Sequence, residues 1–560
     1  MADPGTIFVG GPIHPITFGL PAGERALADD DTVAATVEAL RIDDGRVTYA
    51  GSLADARALG AADEVGLDGR AVLPGFVDAH AHPLMHAQCA SWADLTSASD
   101  VDQVVKLLGE HARTETTSGP IRGFGYDHHA LAEGRHPTAD ELDRVATDRT
   151  VTVMHVSGHG FSVNHQGLAA AGIDASTPTP QGGVIDRDGY GNPTGRVFDA
   201  ACDLLTGPGG VKLVGHGPNL HLPDDPADLA RMLDDAQADF LSTGVTTIGD
   251  CQVTEREVRT YLAVRDAGHL AVRIVLYVLS SHVDGLDRLG LDSWLDDNRL
   301  ALGGVKHYAD GALTGGTAYL PCGCGVTHGH LYHGPGELED LLVASATAGR
   351  QTATHAQGPE AIQLVLDALG RAPHRPDLVH RIEHCGFPSD DQLAEMARLG
   401  IVPVPQPSQV HLYGEGVRRD HPEVADGMYP SGRIGAAGLP VVLSSDAPVT
   451  NPDVPLACWA AETRLTAAGK VIGADNRVSR ARALAGWTVG GAHALRRSDV
   501  GSLAVGNPAD LVVLDDDPFT VATDRLPEVT VLETRVAGRT VWSLGEGVLR
   551  TGSLANRPMR

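Results

Sequence analysis

The stretch Val72-Leu73-Pro74-Gly75-Phe76-Val77-Asp78-Ala79-His80-Ala81-His82-Pro83 decides how the rest of the chain is read. Its apolar run, Val72, Leu73, Phe76 and Val77, predicts a buried strand over Val72 to Asp78. Successive strand side chains point to opposite faces, so His80 and His82 fall on one face, where two imidazoles can grip one metal ion. A buried parallel strand ending in such a pair is where a barrel carries its chemistry. Two ordinary polar residues at a strand end would look the same, so partners further along the chain must decide.

Four later segments read as a short strand followed at once by a residue of metal-site type. They are Gly303-Gly-Val-Lys306, Thr352-Ala-Thr-His355, Arg381-Ile-Glu-His384 and Val441-Val-Leu-Ser-Ser-Asp446. The intervals between them leave room for one helix each. The chain has 26 His, enough to scatter such residues singly. The order His-x-His, Lys, His, His, Asp at successive strand ends is much harder to reach by chance.

On these residues the chain resembles the amidohydrolase superfamily, in particular its YtcJ-like branch, to which N-substituted formamide deformylase belongs. The likeness covers nearly the whole length. It rests on Leu73 to His82, on Gly244-Val-Thr-Thr, on Gly304-Val-Lys306 with Asp310-Gly311, and on Ser445-Asp446-Ala-Pro-Val449. The segment Val500 to Leu514 looks like the family's return to its small β domain. The resemblance implies a (β/α)8 TIM-type barrel with a small β-sandwich built from both termini and an α+β insertion after the first barrel strand.

By the same resemblance, one metal ion would be held by His80, His82 and Asp446 and another by His355 and His384. Zinc or a similar divalent ion suits that set, and it lowers the pKa of bound water to about 7. Lysine is the misfit, because an ammonium has donors and no acceptor. In the family a lysine at the end of strand four carries CO2 as a carbamate that bridges two metals, and Lys306 matches that position. A lysine that only salt-bridges near the site is the alternative. Asp446 would act as general base and then general acid, and the reaction would be hydrolysis of a C–N bond in a small amide, N-formyl or N-acyl compound. Carbamate or ester hydrolysis, deamination, decarboxylation and a metal-free scaffold remain open beside it.

Smaller expectations attach to other residues. His159 and Asn164, in Ser-Gly-His159-Gly-Phe-Ser-Val-Asn164, match a recurrent element of the branch's insertion and are candidate substrate contacts, as is Asp310. Asp127-His128-His129 departs from the branch's aromatic-rich version. Pro359 stands where the branch commonly has an acidic residue, so that residue's role does not transfer. Cys251 lies where some relatives use a bridging cysteine. Cys322-Gly-Cys324 has the closeness of a metal clip but no paired partners.

Eight barrel strands are expected at Val72 to Asp78, Val245 to Gly249, Val272 to Val278, Leu302 to His307, Gln351 to His355, His380 to His384, Ile401 to Val404 and Val441 to Ser445, with helices such as Pro359 to Gly370 and Ser389 to Leu399 between them. The domains follow: residues 1–70 and 490–560 form the sandwich, 71–84 with 244–489 the barrel, and 85–243 the insertion, which is far longer than one crossover needs. A chain of 560 residues accommodates all three. With 43 Lys and Arg against 72 Asp and Glu, the net charge of -29 argues against a nucleic-acid partner. No stretch has the length of a membrane span and the first residues lack a signal-peptide pattern, which predicts a cytoplasmic protein acting on a small molecule, a homodimer being compatible with it. Seven Cys without a dense framework predict reduced thiols.

Overall fold

A computed structural model of the chain describes residues 5–17, 30–114, 119–213, 216–217, 221–222, 224–289, 297–321 and 327–549. Its centre is a parallel sheet of seven strands: β1 (Phe76–Ala81), β2 (Val245–Val253), β3 (Arg273–Leu279), β4 (Leu300–Tyr308), β5 (Thr352–Ala356), β6 (Arg381–His384) and β7 (Val402–Val404). Each pairs with its sequence neighbour, and helices such as Glu255–Asp266, Pro359–Arg371 and Asp390–Leu399 separate them. Helix starts follow local chemistry. Pro359 occupies the first turn of its helix, where a missing N–H costs nothing, and Ser389 with Gln392 closes a capping box.

The opening stretch is divided between two sheets. Val72 and Leu73 do not extend β1; Ala71–Pro74 pairs with Leu511–Leu514 and, at Val72, with Ile13. Gly75 makes the switch: its N–H goes to Asp510 and the next, that of Phe76, to Gly244. A Cβ at Gly75 would stand 2.4 Å from Thr246 Oγ1, so only glycine lets the two sheets meet there.

The expected eighth strand, Val441 to Ser445, forms no ladder. The segment fills the gap between β1 and β7 through individual bonds. Ser445 N donates to Asp78 Oδ1 at 3.1 Å, Asp446 N to His80 O at 2.8 Å, and Gln406 Nε2 to Ser444 Oγ at 2.9 Å.

Strands from both ends of the chain share a nine-stranded sheet that runs from Gly547–Val548 to Arg46–Gly51. Phe8, Leu40 and Ile42 from one end pack with Leu503, Leu511 and Val513 from the other. Asp44 and Gly45, both at positive φ, make the tight turn of one hairpin in it.

Between β1 and β2 the chain builds a six-stranded mixed sheet, ordered Gly183–Arg187, Pro193–Asp199, Gly160–Val163, Val151–His155, Ile121–Tyr126, Ala93–Asp94. The helices that lead out and back, Pro83–Ala90 and Pro226–Ser242, pack with the barrel through Leu84, Ala87, Leu229 and Phe240. Cys322 and Cys324 lie outside the described residues; the described cysteines, Cys89, Cys202, Cys251, Cys385 and Cys458, are buried free thiols. Among the described residues no helix is long and apolar enough to cross a membrane.

Candidate metal centre

The C-terminal strand ends bring the six candidate ligands together. His80 lies in β1 and His82 just beyond it, with their rings 5.1 Å apart and nearly perpendicular. His384 stands 4.9 Å from His80 and 4.4 Å from His355, ring centre to ring centre. Asp446 reaches in from the segment that closes the barrel: its Oδ1 is 3.5 Å from His80 Nε2 and 3.4 Å from His82 Nε2. Donors about 2.0–2.2 Å from a tetrahedral zinc stand about 3.3 Å apart, so these three atoms have the spacing of ligands to one ion.

The hydrogen bonds around the rings decide which nitrogens face inward. Glu383 Oε2 accepts from His80 Nδ1 at 2.6 Å, which leaves Nε2 as a buried lone pair with no protein partner. Gln406 fixes His384 in the same way. Its amide nitrogen donates to Val404 O and Ser444 Oγ, so its oxygen must face His384 Nδ1, at 2.8 Å. His355 Nε2–H donates to Gly311 O at 3.0 Å, which leaves the Nδ1 lone pair. His82 Nδ1 is buried without a partner, with Asp250 3.7 Å away. His80, His384 and His355, each tied at one nitrogen and open at the other, are oriented as a divalent cation requires.

Backbone strain sits at the same positions. His384 and Asp446 have φ of +67° and +61°, a region that costs a non-glycine residue roughly 1–3 kcal/mol. At His384 the left-handed turn breaks strand alternation, so Glu383 and His384, adjacent in sequence, both serve the centre.

Charge is tuned by burial and by neighbours. Burial pushes His384 down to about 4, and burial with the nearby Lys306 charge holds His80 well below the usual histidine range. Burial raises the Asp446 carboxyl, yet the hydrogen bond from His82 and the charges of His384 and His80 outweigh it and hold Asp446 in the ionised form. Lys306 is buried and shifted down by desolvation. Its Nζ lies 4.6 Å above the Tyr308 ring, which itself stacks on His355, and no carboxylate among the described residues forms an ion pair with it.

Cys251 is buried in the barrel below the centre, its sulfur 3.6 Å from the Arg381 guanidinium, which also holds Glu383. The sulfur lies within 4.8 Å of ligand atoms of His80 and Glu383, but the guanidinium beside it is a fixed like charge that disfavours a cation there.

The candidate substrate residues separate. His159 lies over the centre, its ring 5.4 Å from that of His355. Asn164 spends its hydrogen bonds inside the insertion. Its oxygen accepts from Val151 N and Gly167 N at 3.0 and 2.8 Å, and its nitrogen donates to Ala146 O and Arg149 O. Asp310 is likewise occupied, accepting three backbone amides, Gln357 N, Gly358 N and Tyr319 N. Asn164 keeps no donor or acceptor for a ligand, whereas Asp310, with one amide on Oδ1 and two on Oδ2, is anchored but not saturated. A narrow cleft opens beside His82 and Asp250, with Leu84, Met85, Leu213 and Arg256 among its walls.

A second histidine group, His128, His136 and His155, lies in the insertion. Ser157 N donates to His155 Nδ1 at 3.1 Å, which places the ring proton on Nε2, and that proton goes to His128 Nδ1 at 3.0 Å. The group is a hydrogen-bonded chain, with no lone pair of His155 left for a metal. The neighbouring His129 bonds Asp420 at 2.6 Å and ties the insertion to helix Pro407–Asp420.

Comparison with known proteins agrees with this geometry. Residues 63–542 match the model described as the amidohydrolase family. The chain is similar to the N-substituted formamide deformylase of Arthrobacter pascens, 31% identical over 523 residues that cover 90% of this chain and 94% of the relative. It is 27% identical to YtcJ of Bacillus subtilis (strain 168), over 90% of this chain and 96% of that one. Among solved structures it is similar to an uncharacterized metal-dependent hydrolase from Pyrococcus horikoshii OT3, with a TM-score of 0.72 and 25% identity across 93% of this chain and 99% of the other.

Proposed function

The chain belongs to the amidohydrolase family, and from that premise we propose that it is a metal-dependent hydrolase that cleaves the C–N bond of a small N-formyl or N-acyl compound. The observation that carries this reading is the His80, His82 and Asp446 triangle, with the His80 Nε2 lone pair buried, unpartnered and held inward by Glu383. In this reading His80, His82 and Asp446 would hold one zinc ion, His355 and His384 would hold a second, and Lys306 would carry CO2 as a carbamate ligand. A divalent cation there would acidify a water molecule to a pKa of about 7 and draw charge from the substrate carbonyl.

The chain's own groups do the rest. Gln409 Nε2 donates to Asp446 Oδ2 at 3.1 Å, and Gln409 is itself held by Tyr429 at 3.0 Å, so the carboxylate is aimed before substrate arrives. Asp446 takes the proton of the attacking water and returns it to the leaving nitrogen. The cleft beside His82 receives the substrate's substituent against Leu84, Met85 and Leu213. Residues 85–243 act as the lid over a barrel formed by 71–84 and 244–489, and 1–70 with 490–560 form the terminal β domain. The protein works in the cytoplasm on a small molecule.

The test is metal analysis together with a screen of zinc-loaded protein against N-formyl, N-acyl and carbamate compounds, identifying the acid released. One to two equivalents of metal, turnover of an amide, and reversible loss on chelation are expected. Full activity in metal-free protein, or a loaded protein inert to every amide, would overturn the reading.

A further inference from the structure

We propose that the insertion supplies a substrate-binding imidazole, His159, whose Nε2 accepts the N–H of the amide to be cleaved, and that Asp199 is the positioning residue that fixes it. The site would then select amides that carry an N–H, primary or secondary, over fully N-substituted ones. This deepens the amide-hydrolase reading and rests on it.

The argument starts from Asp199, a fully buried carboxylate at the end of strand Pro193–Asp199. Its φ of +52° and ψ of -128° lie where a non-glycine residue is strained. The conformation is held by Asp199 N donating to His159 O at 2.8 Å, and it turns the side chain back onto the same histidine. Oδ1 then accepts from His159 Nδ1 at 2.6 Å and from Tyr332 OH at 2.6 Å. A carboxylate has no proton to give, so His159 Nδ1 carries the hydrogen, and in the neutral form of the ring Nε2 is left as a lone pair.

That lone pair has no protein partner. His159 Nε2 makes no hydrogen bond among the described residues, and the side chain keeps 13% of its surface exposed. Nδ1 is turned toward Asp199, and the ring stands 5.4 Å from that of His355, centre to centre, at the rim of the centre. An acceptor held there meets the hydrogen of the substrate nitrogen, while the carbonyl side of the amide is left to the centre.

The bracing also reaches across to the barrel. Tyr332 and His330 follow β4, the strand that carries Lys306, and His330 Nε2 lies 3.2 Å from Asp199 Oδ2, though without hydrogen-bond alignment. Ser157 Oγ accepts from His159 N at 3.1 Å and fixes the backbone. Asp199 and Ser157 thus hold one histidine, and Tyr332 braces Asp199, while the outward nitrogen of the ring has nothing to bind. For purely structural bracing, that leftover acceptor would have no use.

The experiment compares kcat/KM for matched pairs, an N-alkylformamide and its N-methyl-N-alkyl counterpart, in zinc-loaded wild type, His159→Ala, Asp199→Asn and Tyr332→Phe. Wild type is expected to favour the N–H member by about tenfold or more, as the loss of one hydrogen bond to a positioned acceptor implies. His159→Ala should bring the ratio to within about twofold with metal content unchanged. Asp199→Asn, whose amide oxygen can still accept from Nδ1, and Tyr332→Phe, which removes one brace, should fall between. An unchanged ratio in an active, metal-replete His159→Ala protein overturns this inference alone. A wild type that hydrolyses neither member nor any other amide overturns the hydrolase reading, and this inference with it.

Discussion

Glu383 accepts a hydrogen bond from His80 Nδ1 at 2.6 Å, and both groups are fully buried. The carboxylate is itself gripped by Arg381, through Nε at 2.8 Å and Nη2 at 2.7 Å, and Arg381 is braced by Tyr277 OH and Ala79 O. The lone pair that faces Asp446 is therefore set by a chain of hydrogen bonds starting in the middle of the barrel.

Glu383→Gln keeps the shape of this contact but lets the ring choose its tautomer. Loss of such an orienting partner typically costs 10–100-fold in metal affinity, and a weakening of about that size is expected. Zinc competition against a chelator measures it. Unchanged affinity would mean that the ring is oriented by packing alone.

Asp446→Asn keeps an oxygen toward the centre but removes the base. Turnover should fall by about 100-fold or more, with metal still bound and the fold intact by circular dichroism. Near-normal turnover would assign the proton transfer to another group.

Lys306→Ala tests the bridging carbamate. Metal affinity and activity should both drop, and an added short carboxylic acid, entering the space left by the side chain, should restore part of each. An ordinary lysine at this position predicts no such rescue. The absence of any ion-pair partner for Lys306 among the described residues favours the first outcome.

Five of the six candidate ligands are legible in sequence because each stands at or near a strand end, where alternation and apolar runs point it toward the centre, and Asp446 because it ends a run of strand-like composition. Glu383 is not, although it adjoins His384, since a period of two sends neighbours to opposite faces and only the φ of +67° at His384 reconciles them. The run from Val72 to Val77 reads as one strand because both halves are buried. Its division at Gly75 depends on Asp510 and Gly244, hundreds and scores of residues away. Val441 to Ser445 has a strand's composition but closes the barrel without a ladder. Asp199 carries no local signal at all, since its pairing with His159 spans 40 residues.

Asn164 gives the clearest separation between a structural and a binding role. Its side chain caps helix His165–Ala171 through Gly167 N, and the same oxygen takes Val151 N, the first amide of strand Val151–His155. Removing it deletes a helix cap, worth about 1 kcal/mol, and leaves a buried strand amide unsatisfied, worth about 1–3 kcal/mol. Asn164→Ala should therefore destabilise the insertion by roughly 2–4 kcal/mol, seen as faster hydrogen exchange across Val151–His155 and Gly160–Val163 and a lower unfolding temperature. The preference between paired amide substrates should stay as in wild type at temperatures where the insertion remains folded. A shifted preference with unchanged exchange would instead make Asn164 a substrate contact, and the four hydrogen bonds that now occupy it would have to open on binding.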